Sequence, residues 1–362
     1  MSQLYSRNPT PYISGAVRRE IQPAAPEPAA LPPRRSARLA VAGTWLLALL
    51  AIAEIGPRWL GRHPWRYSEA EQKEPALVEP DPFFGWVNRP GQWVLPPHVA
   101  GSSSRLVTNL TDHSRTTGAA GAAPPARDVF VGCSVTNGYG LSDADTFAWK
   151  IQQSHSEVRI VNFGTAAYGT YQSLLRMERE LDRSPPPRTV VYGFITQHEA
   201  RNVATYDWLR GLALTSSRGH VAPPYVTLGP ADTLIRHPPE AFSIWPLADR
   251  SVVIRMAGDA YMHLVTWGRG QEGPEVTKRL IAAMRDVAER HGTRFVVAFL
   301  LAQEGRKEEY VSFFRERHIE YLDCVEPLAE DNRIPGEGHP NAKLNSVWAQ
   351  CISEKLADPA SR

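Results

Sequence analysis

A chain of 362 residues and 40.2 kDa, 43% hydrophobic and 22% charged, holds enough apolar material for one sizeable core and a smaller appended module. Its formal charge is only +2, and six arginines before residue 39 against Glu20 and Glu27 put that excess in the N-terminal tail, so the slightly acidic body carries no nucleic-acid footprint. Three scattered cysteines, Cys133, Cys324 and Cys351, are too few for a disulfide framework or a zinc site, although one pair can bridge in an oxidising compartment; no metal or cofactor is expected.

Residues 1–38 are rich in Pro, Ala, Ser and Arg, show no apolar periodicity and read as a disordered tail. Leu39 to Ala53 then runs without a charge, and Glu54-Ile55-Gly56 extends it to Pro57-Arg58-Trp59. A spanning helix needs about 17 to 25 apolar residues, so 39–60 reads as a single transmembrane anchor of minimal length. A cleaved secretory signal ending at Ala51-Ile52-Ala53 and a buried core helix are the competing readings. Arg18, Arg19, Arg34, Arg35 and Arg38 before the segment outweigh Arg58, Arg62 and Arg66 after it, which places the N-terminus inside and the body on the extracytoplasmic side.

Residues 61–125 are Pro-, Gly-, Ser- and Ala-rich and read as a linker with small appended strands, docked by Trp86 and Trp93, with 118–125 as a flexible connector. From Ala126 the pattern alternates. Strand-like runs at 129–131, 159–162, 189–194, 294–301 and 319–322 are separated by helical stretches around 147–153, 171–181, 276–291 and 308–317, and the chain closes on a helix over 342–356. Such alternation predicts an α/β three-layer sandwich around a five-stranded, mainly parallel sheet, with ligands bound beyond the carboxyl ends of the strands. The stretch 214–246, rich in prolines, reads as a surface excursion that could shape a cleft.

Four places at strand ends carry chemistry. Ser134 follows the run Asp128-Val129-Phe130-Val131 on a corner of Gly132-Cys133-Ser134, and His339 precedes Pro340 at the entry to the last helix. An exposed hydroxyl on a strand-to-loop corner and a late imidazole are the two halves of a serine nucleophile and its base. Gly164 follows the second strand, and Gln197 and His198 follow the third. Each has a plainer reading: a turn serine, a positive-φ glycine, a helix-entry histidine, a polar strand end.

Taken in order, these blocks resemble the SGNH/GDSL hydrolases over residues 126–357, which become the expected catalytic domain. Gly132-Cys133-Ser134 with Gly138-Tyr139-Gly140, Asn162-Phe163-Gly164 with Tyr168-Gly169, and Gly338-His339-Pro340 carry the resemblance. It implies a flavodoxin-like fold and an esterase or acetylesterase whose serine nucleophile is Ser134, with His339 as base and Glu337 as the group that orients it. It further implies an oxyanion hole from the Ser134 and Gly164 N–H groups and the Gln197 amide, with His198 as the alternative polar donor. Three departures stand out: Cys133 replaces an aspartate, Gln197 stands for an asparagine, and Glu337 stands where an aspartate is usual. The expected partners are an ester or acylated glycan and, through 39–60, the cell membrane. An O-acyltransferase of the same fold and an inactive glycan-binding pseudoenzyme are the other functions this pattern admits.

Overall fold

The computed structural model describes residues 35–68, 74–118, 126–216 and 222–356. The disordered tail expected over 1–38 therefore lies outside the described residues up to 34, as does the connector over 119–125. The chain divides into two units, residues 1–55 and 56–362. The first holds most of helix α1 (Arg35–Trp59), whose side chains Leu39, Trp45, Leu46, Leu49 and Ile52 are all exposed. Arg38–Trp59, 22 residues containing an 18-residue window of mean hydropathy 2.0, is long and apolar enough to cross a membrane.

The second unit opens on two antiparallel hairpins. β1 (Val78–Asp81) and β2 (Gly85–Asn88) are joined by a turn in which the Asp81 carboxylate accepts the N–H groups of Phe83 and Phe84 at 2.8 and 2.7 Å; β3 (Gly91–Leu95) pairs with β4 (Arg105–Asn109). Of the two expected docking residues, Trp86 is buried edge-on against Tyr168, while Trp93 is half-buried beneath Arg89.

The α/β body then runs β5 (Arg127–Gly132), α2 (Ser134–Asn137), α3 (Phe147–Ser154), β6 (Arg159–Asn162), α4 (Thr170–Leu181), β7 (Thr189–Ile195), α5 (His198–Asn202) and α6 (Tyr206–Leu214). The hairpin β8 (Tyr225–Leu228) and β9 (Leu234–His237) follows, then α7 (Val252–Val265), α8 (Arg269–Arg290), β10 (Arg294–Leu301), α9 (Lys307–Glu316), β11 (Tyr321–Asp323) and α10 (Ala342–Leu356). Five strands form one sheet in the order β11-β10-β7-β5-β6, and every neighbouring pair is parallel. β7 is buried along its whole length, as a strand covered on both faces must be. Right-handed crossovers put α4, α5, α8 and α9 on one face and α3 with α10 on the other.

Counted along the body, the spatial order is 2-1-3-4-5, so the winding reverses between β5 and β7. The carboxyl ends of those two strands are the topological switch point, where open α/β sheets place their ligands. Ser134 sits two residues beyond the end of β5, at that point.

The excursion over 214–246 contributes Tyr225 and Phe242 to packing away from the main core. With α6 and α7 it builds a second small core in which Trp65, Leu209, Tyr225, Phe242, Ala248 and Met262 pack together. Cys324 and Cys351 are bridged across 6.0 Å between Cα atoms, tying the end of β11 to α10, and Cys133 is free and buried.

Candidate active site

Gly132 ends β5 with φ +156°, and Thr136 lies across it: a Cβ on Gly132 would meet Thr136 Oγ1 at 2.1 Å, and a Cβ on the neighbouring Gly193 would meet the same atom at 2.1 Å. Two glycines on adjacent strands thus make room for the tight turn that lifts Ser134 to the first position of α2. Gly138, left-handed at φ 78°, ends this one-turn helix, its N–H donating to the Ser134 carbonyl at 2.9 Å.

The carbonyls beyond α2 converge on a single side chain. Arg115, fully buried, donates from Nη1 to the Asn137 and Gly138 oxygens at 3.0 and 2.6 Å, from Nη2 to the Leu141 oxygen at 2.7 Å, and from Nε to Asp143 Oδ1 at 2.9 Å. Burial lowers the guanidinium's pKa, against the pull of Asp143 that keeps it charged. Cys133 has no ionic part in this brace; its side chain is wholly buried within the main core.

His339 reaches this corner from the loop before α10. Its Nε2 lies 2.9 Å from Ser134 Oγ, and its Nδ1 is hydrogen-bonded to Glu337 Oε1. The other Glu337 oxygen accepts the His339 backbone N–H at 2.7 Å. Burial pushes the Glu337 carboxyl up, but its hydrogen bonds to the His339 side chain and backbone N–H outweigh that and hold it below the usual carboxylate value. An ionised Glu337 accepts only, so Nδ1 carries the proton and Nε2 is left as the acceptor facing the serine hydroxyl.

The appended hairpins complete this site and do not merely link to it. The Tyr139 ring lies 5.0 Å from the His339 ring, with its hydroxyl bonded to Glu74, whose carboxylate is 3.6 Å from His98 Nε2. On the other side, Trp86 Nε1 donates to the Ala166 oxygen at 2.9 Å, Asn88 Nδ2 to the Gly164 oxygen at 2.9 Å, and Gln172 Nε2 to the Phe84 oxygen at 2.8 Å. The β1–β2 hairpin therefore clamps the loop after β6. Trp86→Ala is expected to destabilise the fold by about 3 to 5 kcal/mol through the lost buried indole. Denaturant titration checks this.

Two of the expected oxyanion donors are placed differently. Gly164 is buried, and its N–H donates to Asn162 Oδ1 at 2.9 Å, so it is not free for a ligand. Its lack of a side chain serves packing instead, since a Cβ there would lie 2.3 Å from the Asn137 nitrogen on α2. The N–H groups that this loop leaves without an acceptor among the described residues are those of Ala166 and Ala167, the latter in the left-handed region at φ 69°. Gln197 is exposed at the head of α5 and makes no side-chain cap.

His198 next to it is fully buried, with Nδ1 at 2.6 Å from the Tyr192 hydroxyl and Nε2 without a partner. Burial first, then the charge of Arg201, lowers its pKa. Asn202 Nδ2 donates to Thr170 Oγ1 at 2.9 Å, and Thr170 Oγ1 lies 2.7 Å from the Tyr192 hydroxyl. The Tyr192 hydroxyl is the donor in that contact. Among the described residues no group of three or more acidic, histidine or cysteine side chains is arranged to hold a metal.

No protein-family model and no curated protein matches this chain. Among solved structures it is similar to a lipolytic protein of the G-D-S-L family from Veillonella parvula, at 11% identity over 63% of this chain and 97% of that one, TM-score 0.37. It is also similar to the psychrotrophic esterase EstA from a Pseudoalteromonas species, at 9% identity over 65% and 99%, TM-score 0.38. A third is AlinE4, an SGNH-hydrolase family esterase, at 16% identity over 66% and 97%, TM-score 0.34. The parallel sheet itself, in the order 2-1-3-4-5, is the flavodoxin-like doubly wound arrangement.

Proposed function

We propose that this protein is a serine ester hydrolase whose nucleophile is Ser134, activated by His339 and Glu337. The observation that carries the reading is the unbroken line from Glu337 through His339 to Ser134 Oγ, with the last contact at 2.9 Å. His339 Nε2 takes the hydroxyl proton as Ser134 Oγ attacks the ester carbonyl, giving a tetrahedral oxyanion. The same proton then passes to the leaving alcohol. Water, deprotonated in turn by His339, releases the acid and returns the serine.

The Ser134 N–H has no acceptor among the described residues and sits at the nucleophile itself. We assign it the first oxyanion contact and the unpaired N–H groups of Ala166 and Ala167 the second in place of Gly164. Removing one such donor typically costs about 2.7 to 4 kcal/mol of barrier.

Glu337→Gln keeps the shape but loses the charge that fixes the tautomer, and kcat should fall on the order of 10⁴-fold. The folded Glu337 carboxyl titrates below its ordinary value, so its bond contributes stability fully above that ordinary value and loses it as pH falls through the folded value. Unfolding free energy measured against pH should therefore fall less steeply in acid for Glu337→Gln than for the parent chain.

For substrate and place we propose an acylated glycan outside the cytoplasm, with α1 as the membrane anchor. The Cys324–Cys351 bridge suits an oxidising compartment, and α1 is of spanning length. Release of acetate from an O-acetylated polysaccharide tests the substrate class. Acetylation of the glycan from an added acetyl donor, without net acetate release, would instead show a transferase.

A further inference from the structure

Helix α7 is built inside out. Ser251 caps it by accepting the Ile254 N–H at 3.2 Å, and its charged residues Arg255 and Asp259 face the protein, only 12% and 15% exposed and paired at 3.0 Å. The opposite stripe, at helical spacing, is Val253, Met256, Ala257, Ala260, Tyr261 and Leu264, and it carries no charge. Leu264 is 72% exposed, and Trp267 just beyond the helix is 85% exposed. A surface helix of a soluble domain normally has the reverse arrangement.

The place of α7 says what covers it. The end of α1 lies in the same unit as α7, with Trp59 88% and Leu60 83% exposed. Arg58 Nη2 donates to the Arg250 oxygen at 3.0 Å, just ahead of α7, and Arg255 donates to the His63 oxygen at 2.9 Å. Trp65 is then buried against Ala248 and Met262 beneath the helix. The chain leaving the apolar segment is therefore fastened directly to α7. Arg58, Arg62, Arg66 and Arg250 are exposed around this junction, with Asp249 the neighbouring exposed acid. Aromatic and aliphatic side chains on one face, with arginines beside them, match the acyl boundary and headgroups of an anionic bilayer.

We propose that the outer face of α7, with Trp267, is a lipid-binding surface that lies in the membrane interface and holds the body against the bilayer. This rests on the reading of α1 as an anchor, and the two can fail separately. The full chain carrying Leu264→Cys, or Met256→Cys as a second position, is labelled with an environment-sensitive fluorophore; Cys133 is buried and the other two cysteines are bridged. Ser346→Cys on the exposed side of α10 serves as the reference.

In vesicles of phosphatidylcholine and phosphatidylglycerol, spin-labelled lipids should quench the α7 probes several-fold more than the reference probe, and aqueous iodide should do the reverse. α7 probes quenched by iodide as strongly as the reference would overturn the proposal. So would protection from both quenchers with crosslinking between two chains, which would make the face a self-association surface. Alkaline carbonate extraction of the same vesicles reports on α1 independently: extraction with lipid quenching retained would remove the anchor and keep the α7 surface.

Discussion

Ser134→Ala is expected to abolish hydrolysis of p-nitrophenyl acetate, with a fall in kcat of at least on the order of 10⁴-fold, leaving only what the oxyanion donors and binding supply. The only side-chain bond that Ser134 Oγ makes among the described residues is to His339, so the change leaves the brace around α2 intact. The melting temperature should stay close to that of the parent. Because serine and histidine act as a unit, Ser134→Ala combined with His339→Ala should lose little more than either alone. A double variant markedly slower than both singles would mean that the two groups serve separate steps.

Arg115→Ala should be the most destabilising single change outside the hydrophobic core. It strands the buried Asp143 carboxylate and frees four carbonyls at once, and breaking a buried pair in this way costs about 3 to 5 kcal/mol. Arg115→Lys should recover only part of this, since a single ammonium cannot reproduce a planar fork aimed at six acceptors. Urea unfolding at neutral pH reads the effect directly. A loss below about 1 kcal/mol for the alanine variant would place Arg115 among ordinary surface arginines. Activity should fall as well, under conditions where the variant remains folded, because the freed carbonyls of Asn137, Gly138 and Leu141 are those that fix the turn after Ser134.

The sheet was legible because its strands are buried on both faces and read as unbroken apolar runs; β6 and β10 begin and end at the residues the pattern marks. Helix α7 was not, because its apolar residues serve two surfaces and leave no single stripe to detect. Ser134, Glu337 and His339 could be picked out since a glycine-flanked corner and a histidine before proline are local signals. Gly164 drew attention for the wrong reason: its missing side chain answers to Asn137, a contact that sequence does not display. Arg115 carries no local signal at all. It stands in a polar stretch 19 residues before Ser134, and only the fold brings it beneath α2. Likewise, the role of Trp86 as a clamp on the Ala166 loop depends on an 80-residue separation that no short motif spans.

The central claim is that Ser134 is an activated nucleophile. Treating the full chain with a fluorophosphonate and mapping the product by mass spectrometry tests it most directly. One adduct on the peptide containing Ser134, lost in His339→Ala and absent in Ser134→Ala, is the predicted result. An unmodified Ser134 in folded protein, or an adduct on another serine that persists in Ser134→Ala, would contradict it.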